Sequence, residues 1–569
     1  MGWNSWDCFG CTVTEALTQA NTDYMAEHLA RHGWQYIVVD IQWYEPQSKG
    51  FDYDPHPKVT LDEWGRLWPV TNKFPSAVDG KGFRPLADYV HGKGLKFGVH
   101  LLRGIPRTAV ARNTPILGTP FHAADIADTN STCQWNPDMF GVDMTKPGAQ
   151  AYYDSVFKLF AEWTIDFVKV DDLSRPYHQA EAEAIRQAID RSGRPMVFST
   201  SPGETPLSAG ANVATNANLW RVSDDFWDAW APLKEQFARL DRWTPFRGPG
   251  HWPDADMLPL GNVRAVQPKG WTHFTTNEQF TLMTLWSIAR SPLIMGGHLP
   301  MNDTFTLSLL TNDEVLAVNQ RSADNRQLFR TNDLVAWVAA VPDSRDKYVA
   351  LFNANELGID PTRAAFQSGL VTRQTPGQAV DIDVDITGAR KLFLVVNDGG
   401  DGFECDHADW LEPRLIGPEG ERKLTSLKWV SASSGWGQPA VGRSVSGKEL
   451  LVAGKAVADG IGTHSESVIE YRLPAGGTRF RARGGLDAGG ASQANGATVK
   501  FLVFTVDPRR EVEHDVVPVE FAALGFSGPC RVRDLWQQKD LGVFTSRYAP
   551  EIPSHGARLL RVTPVSSNP

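Results

Sequence analysis

The first three hundred residues alternate between apolar runs and amphipathic stretches, and this alternation constrains the fold more than any other property of the chain. Apolar runs bounded by turn residues fall at 36–43 (YIVVDIQW), 95–101 (LKFGVHL), 167–172 (FVKVDD), 195–201 (PMVFSTS), 218–225 (NLWRVSDD), 251–258 (HWPDADML) and 291–297 (SPLIMGG). The opening GWNSW supplies the eighth. Helical stretches lie between several of them. In 148–163, Val156, Leu159, Phe160 and Trp163 recur at helical spacing, and 277–290 reads as a second helix. Apolar strands alternating with helices need a parallel sheet covered on its faces. Eight such units predict a (β/α)8 TIM barrel, class α/β, over 1–305. From about 305 the pattern changes to short strands with Gly and Pro punctuation, such as LVAWVAAV, KYVALFN and ARLLRVTP, which is an all-β pattern.

Composition narrows the function. The formal charge of −10 and the lack of a long basic run argue against nucleic acid. No apolar run approaches the length of a membrane span. Five cysteines, an odd number without zinc-type pairing, give no metal pattern, and no cofactor is expected. The chain carries 20 tryptophans, which fill cores and also stack on sugar faces. It opens at MGWNSW, already inside a motif, which reads as a trimmed start.

Working residues of such a barrel sit at the C-terminal ends of its strands. Strand by strand, this rule gathers Trp6 and Asp7; Asp40, Gln42 and Trp43; His100 and Arg103; Lys169, Asp171 and Asp172; Ser199 and Ser201; Arg221, Asp224 and Asp225; Asp254 and Asp256. Charged groups at one position read as a structural ion pair, but at six strand ends they read as a site. A metal hydrolase would want more histidine than His100, and no HxH or HExxH occurs. A phosphate site would want a Gly-rich anion loop. Two carboxylates flanking one bond, with aromatic and polar groups around them, fit glycoside hydrolysis best.

At this point GWNSWDCFG, the KVD of FVKVDD, the RVSDD of LWRVSDD and GHWPDADMLPLG resemble the motifs of glycoside hydrolase family 27, the α-galactosidase (melibiase) family. EQFTLMTLWSIARSPLIMGG resembles its eighth-strand region, and VRDLWQQKDLGVF and IPSHGARLLRV resemble the end of its antiparallel β-domain. The resemblance implies a retaining hydrolase of terminal α-galactosyl or related pyranosyl groups, with a carbohydrate substrate. It assigns Asp171 as nucleophile and Asp225 as acid/base, and places Trp6, Asp40, His100, Lys169, Ser201, Arg221 and Asp256 around the sugar; the strand-end rule adds Trp43. It also implies a secreted or periplasmic location. Nothing signals an oligomeric state.

Four departures bear on the substrate. Ile41 stands where the α-galactosidases usually carry a second consecutive aspartate, which helps fix the 4-hydroxyl that distinguishes galactose from glucose. His100 stands where tyrosine is common. Leu173 stands where a cysteine would pair with Cys133, and Ser201 lies near the sugar's 2-position. β-L-Arabinopyranoside, α-N-acetylgalactosaminide and isomalto-type glucoside therefore remain as alternatives. Asp172 reads as a loop ion pair or a cap. Further on, VVNDGGDGFECDHADWLEPRLI and the text around GTHSES resemble the NPCBM domain, a carbohydrate-binding-like module. The β-sandwich domain is thus expected as two parts, 306–370 and 508–569, hosting the module at 371–507. In the module, DHADW and GTHSES read either as ligand-binding or as plain sandwich.

Overall fold

A computed structural model describes the chain except for residues 267–269, 356–357, 475, 494–496, 510–513 and 566–569. The eight strands are Gly2–Asn4 (β1), Tyr36–Val39 (β2), Lys96–Leu102 (β3), Phe167–Asp171 (β4), Val197–Thr200 (β5), Leu219–Arg221 (β6), Trp252–Asp254 (β7) and Ile294–Met295 (β8). They form one parallel sheet in the order β7-β6-β5-β4-β3-β2-β1-β8. A parallel bridge between Leu258, just past β7, and Met295 of β8 closes the ring. This is the (β/α)8 barrel. The predicted helices are present as Ala149–Glu162 and Thr276–Ala289. In the first, Tyr152, Tyr153, Val156, Phe157, Leu159 and Phe160 are buried, the i, i+3, i+4 face that covers the sheet. Close strand approach is visible at Gly98 of β3, where a Cβ would meet Phe167 of β4 at 2.9 Å.

Two further helices, Thr304–Leu310 and Asp313–Arg321, continue the helical region beyond the expected end of the barrel at 305. Side chains cap both at their N-termini. Asp303 accepts from Thr306 N, and Asn312 accepts from Glu314 N and Val315 N. All-β structure begins at Ala323. A six-stranded antiparallel sheet follows, joining Ala323–Thr331, Leu334–Ala340 and Lys347–Asn353 to Gly556–Pro564, Cys530–Asp534 and Lys539–Phe544 in that order.

The chain divides into two compact units, Met1–Asn355 with His514–Pro569, and Glu356–Glu513. The second unit is a β-structure with its own core, including Trp410, Phe480 and Phe501. Phe366–Gln367 pairs with Lys500–Phe504 inside it, so its border lies earlier than residue 371. Among the described residues, no helix is long and apolar enough to cross a membrane.

Candidate active site

Strand alternation sorts the barrel interior into layers. Val38, Phe167 and Leu219 form an apolar cluster with Tyr36 and Val197. Two residues further along each strand come Asp40, Lys169, Ser199 and Arg221, and Lys169 stands opposite both His100 and Ser199 in the strand register. An apolar floor thus carries a polar layer at the C-terminal end. Asp171 shares the parity of Lys169, while Asp172 has the other. Asp172, at φ 63°, turns to Arg103, whose Nη2 lies 2.7 Å from its carboxylate. The loop ion pair expected for Asp172 is present. Its charge is not spare.

Asp171 is buried. Its Oδ2 lies 2.9 Å from His100 Nε2, close by distance but not aligned as a hydrogen bond, and its Oδ1 lies 3.7 Å from Lys169 Nζ. Burial alone would raise its pKa. Lys169, His100 and Arg221 outweigh burial and hold the carboxyl well below the usual carboxylate range. Lys169 also donates to Asp40 Oδ2 at 3.0 Å, and Asn4 Nδ2 donates to the same oxygen at 2.7 Å. Burial lowers the Lys169 pKa, but Asp171 and Asp40 reverse this and raise it. Asp40, His100 and Asp171 bring ligand atoms within 4.8 Å of one another, as a metal site would. The Lys169 ammonium already supplies the positive charge among them, so the donor set fits an internal cation better than a metal ion.

Arg221 organises the facing side. Its Nη2 meets Asp256 Oδ2 at 2.8 Å and Asp225 Oδ1 at 3.2 Å, and its Nη1 donates to Ser201 Oγ at 3.2 Å. Asp256 Oδ2 also accepts from Phe226 N at 2.8 Å. The Asp225 side chain is 55% exposed, against 7% for Asp171. Beneath them Asp254 is buried, with its carboxyl pushed up to about 7 by burial and by Asp256, against Arg221.

These groups open into one cleft of about 890 Å³. Trp6, Asp40, Lys169, Asp171, Arg221, Asp225 and Asp256 line it, as does Ile41. His100 and Ser201 lie behind the lining and touch Asp171 and Arg221. Trp43 stands apart. Its indole is fully buried, donates to His100 O at 2.9 Å and packs on Phe83 and Trp163, so the structure places it as core support and not at the cleft surface. Loop residues that strand-end reasoning missed complete the wall. Tyr53 stacks on Trp6, with interplanar angle 9°, and meets Trp135; Phe51 bridges Trp6 to Trp227. Arg175 and Asp224 pair at 2.6 Å on the rim. Tyr53 and Trp135 come from the loops after β2 and β3, and the latter loop folds as a three-stranded sheet containing Ala127–Thr132. Periodicity gives no handle on such loops; their aromatic content was the available signal. Cys133 is free.

Known proteins and family profiles match this chain along its length. The family profile for alpha galactosidase A matches residues 1–146 and 143–321, and that for its C-terminal beta sandwich domain matches 491–562. The NPCBM/NEW2 domain profile matches 357–416 and 420–526. Alpha-galactosidase of Cyamopsis tetragonoloba is 30% identical over 352 residues, covering 61% of this chain and 70% of its own. Human alpha-galactosidase A is 28% identical over 470 residues, covering 76% and 84%. The crystal structure of a GH27 β-L-arabinopyranosidase from Geobacillus stearothermophilus is 38% identical, with TM-score 0.71, covering 100% of this chain and 97% of that one.

Proposed function

Because the chain belongs to glycoside hydrolase family 27, the α-galactosidase (melibiase) family, and is a glycoside hydrolase, we propose that it removes terminal galacto-configured pyranosyl groups from oligo- or polysaccharides with retention of anomeric configuration. Asp171 attacks the anomeric carbon and forms a glycosyl ester, while Asp225 gives a proton to the leaving oxygen. Asp225 then takes a proton from water, which opens the ester and restores both carboxyls. The observation that carries this assignment is the asymmetry of the pair. Asp171 is buried, faces Lys169 and is kept ionised, as a nucleophile must be. Asp225 is half exposed at the mouth, where a leaving group and then water arrive.

Within that class, Ile41 favours β-L-arabinopyranosides over α-D-galactosides. The two sugars share ring stereochemistry, and arabinopyranose lacks the hydroxymethyl group of galactose. A buried isoleucine in the cleft lining offers no acceptor to an added hydroxyl and makes an apolar contact instead. The full-length similarity to a β-L-arabinopyranosidase supports the same choice. Hydrolysis of nitrophenyl β-L-arabinopyranoside, α-D-galactoside, α-N-acetylgalactosaminide and α-glucoside tests it. The expected kcat/KM order puts arabinopyranoside first, and Ile41→Asp should move the ratio toward α-galactoside. An α-galactoside preference in the native enzyme overturns the choice of sugar but not the mechanism. The reading implies a site outside the cytoplasm or in the periplasm, which cell fractionation checks.

A further inference from the structure

Seven aspartates line the cleft. Six have protein partners. Asp40 and Asp171 face Lys169, Asp172 faces Arg103, Asp224 faces Arg175, and Asp225 and Asp256 share Arg221. Asp7 is the seventh. It sits in the short helix Trp6–Phe9, directly after the indole that forms part of the aromatic wall. The residue is 2% exposed, and its Oδ2 is fully enclosed with no hydrogen-bond partner. Among the described residues, no ion pair or hydrogen bond reaches its carboxyl.

The fold makes room for this group. Gly296, just past β8, lies under the carboxyl, and a Cβ there would land on Asp7 Oδ2. Gly296 does not have a left-handed backbone, so the glycine serves space, not conformation. Leaving a buried polar group unpaired costs on the order of 1–3 kcal/mol. A site that keeps such a group in a ligand cleft leaves its hydrogen bond for the ligand. Burial first, then Asp256, with Asp225 and Asp228 adding and Lys169 opposing, push the carboxyl well above the usual range. It therefore stands as a carboxylic acid, with both a donor and an acceptor to offer.

We propose that Asp7 is a sugar-binding residue, whose carboxyl, seated over Gly296 beside Trp6, hydrogen-bonds a ring hydroxyl of the pyranoside. This rests on the reading of the cleft as a pyranoside site and adds a specificity contact to it. The test measures competitive inhibition of nitrophenyl glycoside hydrolysis by D-galactose, L-arabinose and their 2-, 3- and 4-deoxy forms. Wild type, Asp7→Asn and Asp7→Ala are compared. In wild type, one deoxy sugar should inhibit about tenfold more weakly than its parent. In Asp7→Ala that penalty should vanish while the other deoxy penalties persist. Asp7→Asn, with the same shape and a donor and acceptor, should keep it. Should every deoxy penalty survive unchanged in Asp7→Ala, Asp7 does not touch the sugar and the proposal falls. If Asp7→Ala proves insoluble, Asp7→Ser takes its place in the same comparison. Which parent sugar inhibits reports on the substrate reading; the coupling to Asp7 within that series reports on this one.

Discussion

Replacing Asp171 with asparagine removes one charge from a cluster whose other members stay paired, since Lys169 keeps Asp40 at 3.0 Å. The fold should therefore survive while the nucleophile is lost. We expect kcat to fall by about four orders of magnitude, with the melting temperature close to wild type. Substantial residual turnover would move the nucleophile elsewhere. Asp254 gives a different residue-scale prediction, about stability. Its pKa in the fold is about 7, against about 3.9 in an unfolded chain. The folded state thus holds a proton that the unfolded chain releases. Stability from this group is fully present below the unfolded pKa and is lost as pH rises through the folded value. A shift of this size corresponds to on the order of 4 kcal/mol across the window. Asp254→Asn should erase that dependence, so its melting temperature should gain on wild type between pH 4.5 and 7.5. A difference that stays flat with pH would mean Asp254 is not proton-linked to folding. Asp171 and Asp172 were visible in the sequence as strand-end carboxylates, neighbours that strand parity sends to opposite sides, while the roles proposed for Asp171 and Asp225 rest on the family motifs. The unpaired state of Asp7 was not visible, because it depends on what Gly296, nearly three hundred residues away, leaves open.

Between elements, Arg103 ties the ends of β3 and β4 together. Its backbone N donates to Asp171 O at 2.9 Å, its Nε to Asp172 O at 2.9 Å, and its Nη1 meets Glu181 Oε1 at 2.7 Å. Arg103→Met should strand two buried carboxylates and destabilise the enzyme by about 3–5 kcal/mol in urea unfolding. It should also lower kcat, because the end of the nucleophile's strand loses its tether. Unchanged stability would show that the loop finds other partners. The barrel strands were legible as apolar runs, and its amphipathic helices from their period. The short helices at 304–310 and 313–321 were not, since few turns give little periodicity. Trp43 was misplaced because it lies beyond the last strand residue, where parity no longer tells inside from outside. Tyr53, Trp135 and Trp227 escaped for the related reason that loop geometry is set by tertiary contacts and not by local pattern.

On the scale of the molecule, every residue lining the cleft falls between Trp6 and Met257. The host sheet also brings the flanks of the insert together, since Asn355 Nδ2 donates to Asp515 at 3.0 Å. Replacing 356–513 by a short Gly/Ser linker should leave kcat/KM on nitrophenyl substrates within about threefold, because chain insertions are tolerated where their ends lie close. Loss of soluble protein would instead show that the second unit supports the first. The same connectivity has a consequence in time. Strand Lys347–Asn353 pairs on one side with Leu334–Ala340 and on the other with Gly556–Pro564. A ribosome making about 5–20 residues per second needs roughly 10–40 s to translate the ~200 residues between those partners. Through that interval the nascent antiparallel sheet carries an open strand edge, the kind of surface that recruits other chains. The enzyme's yield in a cell should thus depend on chaperones that shield this edge until the last strand emerges.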